Sequence, residues 1–345
     1  MKYSMHHFLS ILYSKLPFLW KCRLTLAAYQ RSKEFSTGFH LDKLRNYYSE
    51  DNSTNKEFVK GAIVMLDGRY YHGGLADRLR GLLSVYSICE KYNCSFYINW
   101  VYPFSLLDYL IPNEVNWSVK PSQISYNSNI SLLCVVDTLS NIIAQDYLHK
   151  HLLNKTIKSK YQQKHIYSDA FIDKKKYPRL FKKLFKPSDL LKTTLEKINS
   201  EIGGKYISFS FRFLSLLGDF EDTEKKDPVS DEKKNEIMSK CKKELIKQIS
   251  NVPSNYKIVL FSDSKTFLNF VKDVDCRIYI IPGEITHMDI KQKSNDSHLK
   301  TFVDFFTIMN AYNVNLIRTN EMYKSGFPLL AAILGEKPFH DILIK

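Results

Sequence analysis

Leu75, Leu79, Leu82, Leu83 and Tyr86 recur at helical spacing and predict a helix over Leu75–Tyr92. Ala62–Leu66, just before it, is a short apolar run entering a glycine-containing turn, as a buried strand does. Ser95–Ile98 and Leu132–Val136 read as further strands, the second followed by a helix to about Lys150. Beyond residue 205 the alternation is regular. It runs strand Tyr206–Phe213, charged loop, helix Asp231–Ser250, strand Lys257–Phe261, helix Lys265–Val271 and strand Arg277–Ile281. A long loop leads to helix Leu299–Tyr312, strand Val314–Ile317, helix Gly326–Leu334 and a short strand near Pro338. Strands alternating with helices predict an α/β fold with parallel sheets. No internal repeat is evident.

The pattern changes between Lys150 and Lys186, where twelve Lys or Arg face two Asp, with Tyr and Phe interleaved. A helix start follows at Pro187-Ser188-Asp189, with Ser188 as cap, and Glu201-Ile202-Gly203-Gly204 ends that helix. The boundary between two domains is expected here. The division predicted is an apolar and basic segment over 1–30, an α/β lobe over 31–195 and a Rossmann-like lobe over 196–345. With 345 residues, 44% of them hydrophobic, there is material for two packed cores.

The formal net charge of +14 directs attention to anionic partners: nucleic acid, an acidic membrane surface or a phosphorylated ligand. The six cysteines form no C-x-x-C pair and stand near no histidine cluster at zinc-ligand spacing, so reduced thiols in a cytoplasm are expected. His6–Trp20 is apolar and aromatic, but Lys15 and Pro17 interrupt it, and it is too short for a spanning helix. Two readings stand: a helix packed on the fold, or one lying on a membrane with Lys21 and Arg23 towards anionic lipid.

Four segments put polar residues where a strand ends and a helix begins. In His72-Gly73-Gly74-Leu75-Ala76-Asp77-Arg78-Leu79-Arg80-Gly81 two glycines allow a tight turn, and the helix start offers N–H groups to an anion. Arg78 lies in the first turn beside that position, and Arg80 is expected in solvent; an ordinary glycine turn is the plain alternative. In Ile207–Phe213 alternation puts Ile207, Phe209, Phe211 and Phe213 on one face and Ser208, Ser210 and Arg212 on the other. An arginine at the carboxyl end of such a strand suits a diphosphate, or pairs internally, with Asp219 as the partner. In Phe261-Ser262-Asp263-Ser264, Ser262 or Asp263 caps the following helix or meets a ligand. In Tyr323-Lys324-Ser325-Gly326-Phe327-Pro328, Ser325 caps the last long helix or helps bind phosphate.

With these segments in this order, the sequence resembles the superfamily of GDP-fucose-dependent α1,2-, α1,6- and protein O-fucosyltransferases, over about residues 61–340. GGLADRLRG is similar to the family's G-G-x-x-N-R-L-R element, with Asp77 in place of Asn. SFRFLSLLGDF is similar to its H-x-R…D segment, with Ser210 in place of His and with Leu214–Leu217 as an insertion between Arg212 and Asp219. FSDS is similar to the strand-end motif that follows, and His298–Phe339 to the closing segment with its S-x-F motif.

The resemblance implies two Rossmann-like lobes facing a cleft, the GT-B arrangement of glycosyltransferases, with the acceptor on the N-terminal lobe and the sugar nucleotide on the C-terminal one. It implies that Arg212 pairs with the β-phosphate and that Ser325, Gly326 and Phe327 hold the phosphates and nearby sugar or ribose. Asp263 and Asp304 would lie around the nucleotide, and His72, Gly73, Gly74 and Arg78 across the cleft from it. GDP-fucose would be the donor substrate, with no cofactor. No D-x-D metal motif stands out, since Asp219-Phe220-Glu221-Asp222 lies in a charged loop. An acceptor hydroxyl on a glycan or lipid-linked oligosaccharide would attack with inversion. His72, Asp77 and Asp219 are the bases on offer, with no choice among them. The setting implied is assembly of bacterial surface polysaccharide, in the cytoplasm or on the inner membrane. The alternatives are a sugar-nucleotide or glycan-binding protein without catalysis, suggested by Ser210, and a nucleic-acid binder, suggested by Lys150–Lys186. The second lacks any recognised module, so nucleic acid is not expected as a partner.

Overall fold

The computed structural model describes residues 17–37, 41–50, 57–138, 143–220, 229–284, 288 and 296–345. Most of the apolar N-terminal segment, and Glu221 and Asp222, fall outside them. The chain opens with helices α1 (Pro17–Arg31) and α2 (Leu41–Arg45). There follow β1 (Gly61–Leu66), α3 (Leu75–Lys91), β2 (Phe96–Trp100), β3 (Leu110–Pro112), β4 (Ser131–Val136), α4 (Gln145–Ile157) and β5 (Gln163–Ser168). Next come α5 (Tyr177–Leu184), β6 (Phe185–Pro187), α6 (Asp189–Ile202), β7 (Tyr206–Phe211), α7 (Asp231–Ile249), β8 (Lys257–Ser262) and α8 (Lys265–Val271). The chain closes with β9 (Ile278–Tyr279), α9 (Asp296–Asn310), β10 (Asn313–Arg318), α10 (Gly326–Gly335) and β11 (Phe339–Leu343).

These elements form two compact units. The first takes the described residues up to His72, Arg78–Trp100 and Asn116–Lys174. The second takes Gly73–Asp77, Val101–Val115 and Lys175–Lys345.

In the first unit four parallel strands lie in the order β2-β1-β5-β4. Every residue of β1 is buried, as a central parallel strand covered on both faces requires. Ile63 and Met65 pack with Tyr167, Val135, Leu41 and Leu44. Leu79, Leu82, Leu83 and Tyr86 of α3 are buried at the predicted spacing. Gly81 lets α3 approach the end of β5, because a side chain there would strike the Ser168 carbonyl. Strand order reverses at β1, with β2 on one side and β5 on the other.

In the second unit five parallel strands lie in the order β11-β10-β7-β8-β9. Phe209, Phe211 and Phe213 pack against Ile237, Cys241 and Leu245 of α7 and Phe267 of α8. The chain leaves β7 towards β8 and later returns on its other flank as β10, so the switch point falls between β7 and β10. Open α/β sheets bind their ligands at the carboxyl ends of the strands at such a point. The antiparallel pair β3–β6 belongs to this unit as well.

The basic stretch Lys150–Lys186 is more ordered inside than its composition suggests. It contains β5, paired on both sides, and α5, which buries Tyr177, Leu180, Phe181 and Leu184. The lysines hide this pattern because long side chains lay their stems on apolar surface; even Lys164, within β5, is only 8% exposed. All six cysteines are free thiols. Among the described residues no helix is long and apolar enough to cross a membrane.

Candidate functional site

The register of the second sheet creates the first cluster. Phe211 of β7 lies opposite Ser262 of β8, so Arg212 and Asp263 emerge side by side at the carboxyl edge. They pair, Arg212 Nη1 to Asp263 Oδ2 at 3.3 Å. Among the described residues Arg212 thus makes an ion pair with Asp263, and none with Asp219, the pairing weighed from the sequence. Asp263 is 4% exposed and also accepts the backbone N–H groups of Phe213 (2.9 Å) and Leu214 (2.7 Å). Burial pushes its carboxyl up, and Arg212 and the two N–H groups pull it back down. Leu214 has φ +55°, and the carboxylate holds the chain through this left-handed turn.

The Arg212 side chain keeps 23% of its surface exposed, and its guanidinium lies 4.6 Å from the centre of the Phe220 ring. Leu214–Leu217, an insertion in the sequence pattern, is a compact apolar turn with Leu216 and Leu217 in the core. It returns the chain so that Asp219 reaches the start of α8. There Asp219 Oδ2 accepts from the Ser264 hydroxyl (2.8 Å) and the Thr266 N–H (2.9 Å). The helix cap is thus Ser264, whose Oγ accepts the Phe267 N–H, rather than Ser262 or Asp263. Asp219 adds its negative charge at the same helix end.

The fourth segment joins this edge through the backbone, since the Tyr323 N–H donates to the Arg212 carbonyl at 3.2 Å. That tether brings the loop after β10 to the end of β7. Ser325 caps α10, its Oγ accepting the Phe327 N–H at 3.3 Å. A side chain added at Gly326 would meet no atom within 4 Å, so the first turn of α10 is uncovered there. Its N–H groups and the helix dipole favour an anion. Phe327 packs edge-on to Phe305, with ring centres 5.2 Å apart. Ser210, one position inward from Arg212 on the same strand face, is 6% exposed, and its hydroxyl has no partner among the described residues. On α9 both oxygens of Asp304 accept from Lys300 Nζ at 2.5 Å, one turn back on the same helix.

The first sheet carries its own polar edge. Gly73–Asp77, counted with the second unit, lead into α3: Gly73 has φ +65°, and the Gly74 N–H donates to Asp77 Oδ2 at 3.1 Å. An anion of the chain itself therefore occupies the start of α3, and Asp77 in place of Asn serves as its capping residue. His72 is buried, with Nε2 accepting the Gly68 N–H (3.0 Å) and its ring stacked on Tyr167. Burial, then the charge of Arg78, push the His72 pKa down to about 3. Arg78 is 1% exposed, over the Trp100 ring. Arg80 is not solvated as expected: Nε donates to the Asp169 carbonyl (2.6 Å) and Nη2 to its carboxylate (3.1 Å). Asp137, which the sequence reading passed over, follows β4 at this edge. Its Oδ2 accepts a short hydrogen bond from the Tyr70 hydroxyl. Strand-end position was the signal available, but nothing local marked this aspartate out. Among the described residues no group of three or more His, Cys, Asp or Glu is arranged to hold a metal ion.

No protein-family model and no curated protein matches the sequence. Solved structures do match. The NodZ α1,6-fucosyltransferase soaked with GDP-fucose aligns with a TM-score of 0.53 at 13% identity, over 80% of this chain and 92% of that one. NodZ from Bradyrhizobium aligns at 0.51 and 13%, over the same shares. A point mutant of Arabidopsis thaliana FUT1 in complex with GDP aligns at 0.52 and 12%, over 87% of this chain and 78% of that one. The α/β units with their parallel sheets therefore have the fold of the NodZ and FUT1 structures.

Proposed function

We propose that the protein is a glycosyltransferase that moves fucose from GDP-fucose to a hydroxyl of a glycan acceptor, with inversion. The observation that carries this reading is the Tyr323 N–H bond to the Arg212 carbonyl, which ties the loop leading to the uncovered, Ser325-capped start of α10 to the end of β7 at the switch point of the second sheet. Breaking the bond from the sugar to the diphosphate leaves negative charge on the departing phosphate oxygen. In this reading the Arg212 guanidinium and the N–H groups of α10 take up that charge, and a fixed donor array stabilises it without reorganising. Asp263 and Asp219 serve this site by position: Asp263 aims Arg212 and shapes the turn beyond it, and Asp219 fixes the start of α8. Phe220 confines the guanidinium, and Phe327 offers a ring edge to sugar or ribose. The acceptor hydroxyl attacks the anomeric carbon from the face opposite the diphosphate. Donor-side roles for Asp304, Gly73, Gly74 and Arg78 rest on the family resemblance alone.

Two features extend the proposal. Phe18, Leu26 and Tyr29 lie exposed on one stripe of α1, beside Lys21 and Arg23. This supports docking on an anionic membrane, which suits an enzyme of surface polysaccharide assembly acting on lipid-linked glycans. Salt-sensitive sedimentation with anionic but not zwitterionic vesicles is the expected result, and absence of association with either refutes docking. The Ser210 hydroxyl, without a partner among the described residues where the family has His, supports the competing reading of a sugar-nucleotide binder without catalysis. Release of GDP from GDP-fucose decides between them: sustained turnover lost in Arg212→Ala supports the transferase, and tight binding with no release supports the binder.

A further inference from the structure

Within the first unit, the connection from α3 to β2 sets two thiols against each other. Asn93, just past the end of α3, takes the left-handed conformation with φ +49°. Its N–H donates to the Glu90 carbonyl (3.4 Å), and the Cys94 N–H donates to the Cys89 carbonyl (2.9 Å). These two bonds make a Schellman helix ending, and Cys89 and Cys94 occupy the two positions whose side chains pack together in it. An apolar pair is usual there. Here the pair is two sulfurs, hydrogen-bonded side chain to side chain. The N–H bond between the same two residues also keeps their Cα atoms within the span that a disulfide bridges, about 4.4–6.8 Å.

The two thiols differ in access and in surroundings. Cys89 is fully buried, and Cys94 is half-buried. Gly61 lets the Cys94-Ser95 turn close on β1, because a side chain there would strike the Ser95 carbonyl. The Ala62 N–H faces the Cys94 sulfur from β1, and Lys164, paired with Ala62 in the β1–β5 register, brings a positive charge from β5. The other nearby ammonium groups, Lys91 and Lys158, lie against the Tyr92 ring. The Cys89 hydrogen bond, with Lys164 and the Ala62 N–H, outweighs burial and brings the Cys94 pKa down to about 6, while burial pushes that of Cys89 up.

We propose that Cys94 is a site of oxidation by hydroperoxides, and that Cys89 resolves the oxidised sulfur into a Cys89–Cys94 disulfide. This is independent of the transferase reading. The steps balance with hydrogen peroxide as oxidant. The Cys94 thiolate attacks one peroxide oxygen, the O–O bond breaks, and Cys94 becomes a sulfenic acid while hydroxide leaves. The Cys89 thiol gives its proton to that hydroxide, and its sulfur attacks the Cys94 sulfur. The S–O bond breaks and the oxygen departs as water. Two thiols are oxidised by two electrons, and one peroxide is reduced to two waters.

The test treats the whole protein with hydrogen peroxide and maps its cysteines by peptide mass spectrometry. Wild type is expected to give a Cys89–Cys94 disulfide that dithiothreitol reverses. Cys89→Ala should stop at a Cys94 sulfenic acid that dimedone traps, and Cys94→Ser should leave Cys89 reduced. Alkylation of Cys94 by iodoacetamide, followed against pH, should have its midpoint near 6 in wild type and at higher pH in Cys89→Ala, which lacks the sulfur hydrogen bond. A thiol that only fills the helix end would keep the ordinary midpoint of about 8.5. A wild-type midpoint above about 8, or a Cys94 left reduced while the exposed Cys276 oxidises, overturns the assignment. A wild-type sulfenic acid that persists, or a Cys94 disulfide between two copies, overturns the role of Cys89. Should Cys89→Ala fail to fold, wild type and Cys94→Ser, altered at the half-buried position, decide the question.

Discussion

Asp263→Asn keeps the shape of the group that organises the carboxyl edge of the second sheet and removes its charge. In the native site the carboxylate accepts two backbone N–H groups, at 2.9 and 2.7 Å, and pairs with Arg212 at 3.3 Å, while only 4% exposed. Hydrogen bonds to a charged group contribute roughly 1.5–3 kcal/mol each. An asparagine retains one oxygen acceptor and turns an NH₂ towards the remaining donors, so one buried N–H loses its partner. Removing one member of a buried ion pair costs about 3–5 kcal/mol. Relief from burying a carboxylate offsets part of this, and the partial exposure of Arg212 lets water replace some of the lost attraction. The expected loss is about 3 kcal/mol. With a urea slope of about 2 kcal/mol/M, the unfolding midpoint should fall by about 1.5 M. Because Arg212 also loses its aim, GDP-fucose affinity should fall at least ten-fold in the same preparation. A midpoint within about 0.3 M of wild type and an unchanged affinity would refute the view that Asp263 builds this edge.

Other perturbations test other parts. Gly81→Ala puts a methyl group into the Ser168 backbone and should cost about 1–3 kcal/mol, read as a lower urea midpoint. Ser325→Ala removes the α10 cap and should cost about 1 kcal/mol, with a several-fold loss of GDP-fucose affinity in calorimetry. His72 and His165, both held neutral with pKa values of about 3, contribute stability that is complete above pH 6.5 and lost as pH falls towards 3. At pH 5 that loss is about 2 kcal/mol for each. Asp137, raised to about 7, has the opposite sign: its contribution is complete below the unfolded carboxyl value and lost as pH rises through 7. Unfolding midpoints at pH 7 and 5 should therefore fall more steeply in Asp137→Asn than in wild type, and an equal fall would contradict the raised pKa.

Much of this was legible in the sequence because local pattern and tertiary role agree. Ile207, Phe209, Phe211 and Phe213 share one face as alternation required, and the predicted α7 and α8 bury their apolar stripes. Arg212 and Ser325 were visible as polar residues at strand ends. Their neighbours were not, because pairing depends on sheet register: Asp263 meets Arg212 only through the β7–β8 pairing, and Asp219 reaches α8 only through the Leu214–Leu217 turn. Composition misled in Lys150–Lys186, where lysine stems cover a buried strand. It also misled at Arg80, whose partner Asp169 is 89 residues away. Asp137 went unnoticed because its partners Tyr70, Thr37 and His149 are brought together only by the fold.

The central claim is that the carboxyl edge of the second sheet binds a nucleotide sugar through Arg212. Calorimetric titration with GDP, GDP-fucose, UDP-sugars and ADP-sugars, with Arg212→Ala alongside, tests it most directly. Saturable binding of GDP-fucose, in preference to the UDP- and ADP-sugars and lost in the variant, is the result the account predicts. Binding that survives the loss of Arg212, or no binding to any of these ligands, would contradict it.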